Sequence, residues 1–151
     1  MVYSRILVGF DGSPESHEAL RRALSLAERL GGRVRIVTVV PPPSVVLGPL
    51  MTPETLDFTP LARAAEEELE KIAREASAGG VEVSYEVRLG EPASSLLEAA
   101  EDWGADLIVL GRRRLSGVER IALGSVSSKV ANHAHIDVLI VRHPGEGDQP
   151  R

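Results

Sequence analysis

No cysteine occurs anywhere in the chain of 151 residues. That absence removes disulfides, zinc–thiolate centres, iron–sulfur clusters and thiol nucleophiles together, and it fits a cytoplasmic chain. Aromatic residues are nearly missing as well, at 3%. An apolar core must therefore be aliphatic, built from Val, Ile, Leu and Ala. The same scarcity argues against a single-strand nucleic-acid platform, which stacks bases on aromatic rings. Positive charge is not in excess: the net charge is −5 and the pI about 5.4, which lowers the case for a duplex binder. No long apolar run exists either. The most apolar window, Ile36 to Met51, is shorter than the roughly 20 residues of a membrane span and carries three consecutive prolines. The N-terminus, "MVYSRILVGFDGS", has neither the basic start nor the apolar centre of a signal peptide. These absences predict a cytoplasmic protein with no membrane and no nucleic acid among its partners.

Familiar catalytic signatures are missing too. There is no Gly-x-Ser-x-Gly elbow, and "GSVSS" (Gly124–Ser128) lacks the lysine of a phosphate loop. Glu98, Glu101 and Asp102 fall on one helix and read as its wet face. His133 and His135 form a His-x-His pair, but no third ligand has suitable spacing, and an imidazole near a helix end more often meets the dipole. The expected metal and catalytic sets are empty.

What is present is an alternation of two periodicities. "RILVGF" (Arg5–Phe10) is a short apolar strand. Ala19, Leu20, Ala23, Leu24, Ala27 and Leu30 recur at helical spacing, with Ser13 as N-cap, Pro14 at the first position and Gly31-Gly32 as the stop. Arg33–Val40 is a β-branched strand. The connection from Pro41 to Pro60 contains six prolines and reads as a lid or a disordered loop. A helix over Leu61–Ser77 is predicted to bury Leu61, Ala65, Leu69, Ile72 and Ala76. Val81–Arg88 alternates strictly, as an edge strand does. Pro92–Trp103, Ala105–Gly111, Gly124–His133 and Ile136–Arg142 follow as helix, strand, helix and strand. The polar tail, residues 144–151, is expected to be flexible. The order βαβαβαβαβ predicts one α/β domain over residues 1–143, with a parallel sheet and helices on both faces. Ligands in such sheets bind beyond the carboxyl ends of the strands.

One of those loops, "GRRRLSGVERIALGS" (Gly111–Ser125), carries the sharpest signal. Glycines let backbone N–H groups approach phosphate oxygens, and Ser125 opens a helix whose free N–H groups favour an anion. The competing reading is that Gly111 merely ends a strand and Ser125 merely caps a helix. Arg112 reads as part of a solvated basic turn. Arg114 either clamps phosphate with its guanidinium fork or fills the phosphate's space. Asp11, in "DGS", either caps the first helix or accepts a hydrogen bond from a sugar hydroxyl, and the two are compatible.

Three segments together resemble the universal stress protein family over nearly the full length. They are "ILVGFDGSPESHEALRRALSLA", "GEPASSLLEAAEDWGADLIVLGRR" and "ALGSVSSKVANHAHIDVLIVR". The resemblance implies a doubly wound, Rossmann-like, five-stranded parallel sheet of order 3-2-1-4-5. It also implies a stress-response module that binds ATP, AMP or another adenine nucleotide, with Mg or Mn on the phosphates. In the family's nucleotide-binding branch a glycine, two residues, a second glycine, nine residues and Gly-Ser or Gly-Thr follow one another. Here Gly111, Gly124 and Ser125 match, and Arg114 replaces the second glycine; Gly117 is out of register. By the same resemblance Asp11 lies near the adenosine, with Gly9 and Phe10 in the same turn. Val39 reads the adenine edge through its backbone. Gly111, Gly124, Ser125, Val126 and Ser127 surround the ribose and phosphates, and Arg113 stands where a basic residue is common. A homodimer through the last strand, Val138–Val141, is implied, although Ile136 and Asp137 replace the usual Cys-Pro and Asp137 either tunes or weakens that contact. The protein partner stays unnamed. Two alternatives remain open: a nucleotide-free dimeric adaptor whose Arg114 fills the phosphate site, and a slow ATPase.

Overall fold

The computed structural model of the chain describes residues 3–41, 59–112 and 124–143. Most of the Pro41–Pro60 connection, Arg113, Arg114 and the tail after His143 lie outside the described residues. The elements are β1 (Arg5–Gly9), α1 (Pro14–Leu30), β2 (Arg33–Val40), α2 (Thr59–Ser77), β3 (Val83–Leu89), α3 (Pro92–Trp103), β4 (Leu107–Gly111), α4 (Ser125–His133) and β5 (Asp137–Val141). All pairings are parallel, and the sheet order is β3-β2-β1-β4-β5. This is the α/β architecture and strand order expected from the sequence.

Strand alternation divides the core in two. Ile6, Val8 and Ile36 point to one face, with Ala19, Ala23 and Leu69 of α1 and α2. Leu7, Val37 and Ile108 point to the other, with Leu96 and Ala99 of α3 and Val130 of α4. Among the described residues Phe10 is the only aromatic in the buried apolar set. The core is aliphatic, as the composition requires.

Helix α1 begins as its sequence suggests. Ser13 is the N-cap and its Oγ accepts from the Ser16 N–H at 3.2 Å; Gly31 closes the helix at φ 73°, where a side chain would be strained. Helix α2 departs from expectation at its start. Leu61 is 54% exposed, and Ala73 is buried beside Leu69. The reason is length: 19 helical residues rise about 28 Å, whereas the seven residues of β3 span about 23 Å, so the first turn of α2 overhangs the sheet. On α3, Glu98, Glu101 and Asp102 are exposed as expected, but Asp102 also accepts from Arg88 Nη2 at 2.8 Å.

Two carboxylates fasten the ends of elements. Asp106, just before β4, accepts from Ser4 N and Ser4 Oγ at 2.9 Å and from Arg5 N at 3.1 Å, tying the start of β1 to β4. Burial pushes its carboxyl up, but these bonds outweigh burial and hold it below the ordinary value. Glu91 is the N-cap of α3: its Oε2 accepts from the Ser94 N–H at 2.8 Å. Its Oε1 lies 3.4 Å from Lys129 Nζ of α4.

The Ser94 N–H, then the Ser94 hydroxyl, hold the Glu91 carboxyl down, from 4.5 to about 2. A folded-state value below the unfolded one stabilises the fold above pH 4.5, and that contribution fades as pH falls towards 2. Glu91→Ala is therefore expected to cost about 1 kcal/mol at pH 7, the usual worth of a side-chain cap. Its difference from wild type should shrink below pH 4.5. Urea midpoints of both proteins at neutral and acid pH check this; a gap independent of pH would remove the carboxylate from the account.

Candidate functional site

A cleft of about 310 Å³ opens beyond the carboxyl ends of β1, β2 and β4. It sits where the chain order reverses between β1 and β4, the position at which sheets of this class leave a crevice. One wall is aliphatic, made by Val37 and Val39 of β2, Leu96 of α3 and Leu110 of β4, with Pro41 and Pro92 at the rim. The polar lining comes from Asp11, Ser13, Ser16, Ser125 and Ser127.

The β2 edge supplies paired backbone groups. Phe10 N–H donates to Val37 O at 2.9 Å, so the Val37 carbonyl faces β1; Gly90 N–H donates to Val40 O at 3.0 Å, so the Val40 carbonyl faces β3. By alternation, the N–H and C=O of Val39 face the β1 side. The pairing with β1 stops at Gly9 and Val37, while β2 continues beside β3 as far as Val40 and Leu89. A donor and an acceptor of Val39 thus border the cleft beyond the last β1 pair. This pairing matches an adenine edge, which offers a ring-nitrogen acceptor beside an amino donor.

The turn after β1 holds Asp11. Its Oδ1 accepts from the Ser13 N–H at 2.9 Å, and Gly12 takes φ 84°, a left-handed conformation that favours glycine. The cap of α1 itself is therefore Ser13 and not Asp11, while Asp11 fastens the turn from within the cleft lining.

Helix α4 starts with Gly124 as N-cap, a residue with no side chain to bond the first turn. The opening N–H groups of a helix lack intrahelical acceptors, and here they stand at the cleft with the positive end of the dipole. Ser127 is buried, and its Oγ is 3.4 Å from Gly111 O.

The two strand-end glycines have packing reasons that the sequence did not reveal. A Cβ on Gly9 would stand 2.5 Å from Leu110 Cδ2. A Cβ on Gly111 would run into the backbone carbonyl of Glu15, in the first turn of α1. Gly111 is thus required for the close approach of α1 to β4, with or without a ligand.

Gly9, Phe10, Asp11, Val39, Gly111, Gly124, Ser125, Val126 and Ser127 all line this one cleft. Arg113 and Arg114 lie outside the described residues. Sequence reasoning missed Ser16, Val37, Leu96 and Leu110. Val37 was within reach, since it shares its strand face with Val39. Leu96 and Leu110 carried no signal beyond being apolar. His133 Nδ1 lies 2.9 Å from the Lys129 carbonyl, on its own helix. Among the described residues no helix is long and apolar enough to cross a membrane.

The model of the universal stress protein family matches residues 2–142. A universal stress protein of Synechocystis sp. is 34% identical, over 95% of this chain and 100% of its own. One of Methanocaldococcus jannaschii is 36% identical, over 95% of this chain and 84% of its own. Among solved structures, a universal stress protein in complex with cAMP superposes with a TM-score of 0.66 at 29% identity, covering 93% of this chain and 98% of that one.

Proposed function

Because the chain belongs to the universal stress protein family, we propose that it is a cytoplasmic stress-response module that binds an adenine nucleotide, ATP with Mg or Mn, in the cleft. The observation that carries this reading is a juxtaposition. One cleft holds the Val39 backbone edge, Asp11 and the glycine-capped start of α4. These suit a base, a ribose and phosphates in turn. The relative solved with cAMP supports the ligand class. In this assignment the base lies along Val39 against the aliphatic wall. Asp11 accepts from ribose hydroxyls, with Gly9 and Phe10 forming the floor of that turn. Gly111, Gly124, Ser125, Val126 and Ser127 surround the phosphates, and Arg113 adds charge.

Binding, rather than turnover, is the output of the site. A hydrolase needs a group that positions water, and in this assignment Asp11 serves the turn and the ribose. Nucleotide occupancy would then bias a protein contact. A second copy is the first candidate, pairing through Val138–Val141: β5 is a sheet edge and Leu139 on it is 38% exposed.

The second reading, a nucleotide-free dimeric adaptor, is favoured by one observation: Arg114 stands where the nucleotide-binding pattern has glycine. Calorimetry with Mg-ATP, after any co-purified nucleotide has been released and identified, separates the two. The wild type is expected to bind one ATP per chain. Absence of binding, restored by Arg114→Gly, would replace this reading with the adaptor.

A further inference from the structure

The residue before Asp11 is held more tightly than a strand end requires. Regular pairing of β1 with β2 ends at Gly9, yet both peptide groups of Phe10 are fastened to β2. Its N–H donates to Val37 O at 2.9 Å. Its C=O accepts from the Thr38 hydroxyl at 2.7 Å. The Phe10 ring is buried and meets the His17 ring edge-on, with centroids 4.9 Å apart. The Phe10 carbonyl and the Asp11 N–H belong to one planar peptide. Fixing that oxygen fixes the plane from which Asp11 departs. The side chain of Asp11 is then set against the Ser13 N–H at 2.9 Å.

Thr38 does not line the cleft. Strand alternation puts it on the α1 and α2 face, with Ile36, whereas Val37 and Val39 face the cleft. An effect of Thr38 on a ligand is therefore indirect, and its hydrogen bond runs to Phe10, the residue before Asp11.

We infer that Thr38 is a positioning residue for the nucleotide site: its hydroxyl takes the place of the next rung of the β1–β2 ladder and aims the Asp11 carboxylate at the ribose hydroxyls. The inference rests on the adenine-nucleotide reading for its ligand. The geometry of the turn stands independently of it.

The test compares Thr38→Val with Thr38→Ser in the full chain. Valine keeps the shape and the strand preference and removes the donor; serine keeps the donor. Mg-ATP affinity is expected to fall about fivefold in Thr38→Val, the worth of one neutral hydrogen bond, and to be restored in Thr38→Ser. With 2′,3′-dideoxy-ATP, which offers no hydroxyl to Asp11, wild type and Thr38→Val should bind alike. Amide exchange without nucleotide provides the independent arm: the Ser13 N–H should exchange faster in Thr38→Val and at the wild-type rate in Thr38→Ser. Equal ATP affinity in wild type and Thr38→Val, or an equal loss for both nucleotides, would overturn the inference. If the wild type bound no ATP, the nucleotide reading would fall, and unchanged Ser13 exchange would overturn the positioning role as well.

Discussion

Ser125→Asp is expected to leave the fold slightly more stable and to lose nucleotide binding almost completely. Ser125 is the first residue of α4, exposed and in the cleft lining. A carboxylate in the first turn of a helix interacts favourably with the dipole, by about 0.5 kcal/mol at an exposed position. The melting temperature should rise by about 1–2 °C. The same charge would face the phosphates. Two unit charges about 4 Å apart interact by about 4 kcal/mol at the effective dielectric of a protein surface, and salt reduces this. A loss of about 100-fold in affinity is the expected remainder. Ser125→Ala, which removes a hydroxyl and adds no charge, should cost less than about tenfold. Thermal unfolding and calorimetry on the same samples read both effects. Opposite signs for stability and affinity place the phosphates at the start of α4. Undiminished ATP binding by Ser125→Asp would move them elsewhere.

Gly111→Ala should do the reverse, damaging the fold first. The added methyl meets the main chain of α1 at Glu15 rather than a side chain that swings aside. Relief needs a shift of the first turn of α1, which also carries the Ser13 cap and lies next to the Asp11 turn. Overpacking against backbone costs about 3 kcal/mol, or about 9 °C in melting temperature for a domain of this size. Nucleotide affinity measured well below the melting point should fall too, because the Asp11 turn moves. A melting temperature within about 2 °C of wild type would mean that Gly111 is needed for the ligand and not for packing.

These two cases also show where sequence reasoning reached and where it stopped. The Ser13–Pro14 start and Gly31 stop of α1 were legible because caps are local: each partner lies within a few residues. The alternating strands were legible from their period of two. The strand order came from the family resemblance, since periodicity says nothing about which strands are neighbours. Contacts between distant segments were not legible. Gly111 was read either as an opening for phosphate or as a plain strand end, and the contact that forbids a side chain there comes from Glu15, on another element. Thr38 was read as one more β-branched strand residue; the partner of its hydroxyl is 28 positions away. Glu91 drew no reading in the sequence, because glutamate is not among the usual N-cap residues. Leu61 was placed inside because its spacing fits, whereas the helix is longer than the strand it covers.

The uneven ending of β1 and β2 has one more consequence. Beyond the Gly9–Val37 pair β1 provides no partner for Val39, and a purine seated there would act as a surrogate for the strand residue that β1 does not provide. Recognition of its edge would then be written in the main chain, which every residue except proline carries alike. Side chains around the cleft are free to drift, altering grip and shape, without erasing which base is preferred. The part of the site that looks least distinctive in the sequence would be the part that mutation finds hardest to change.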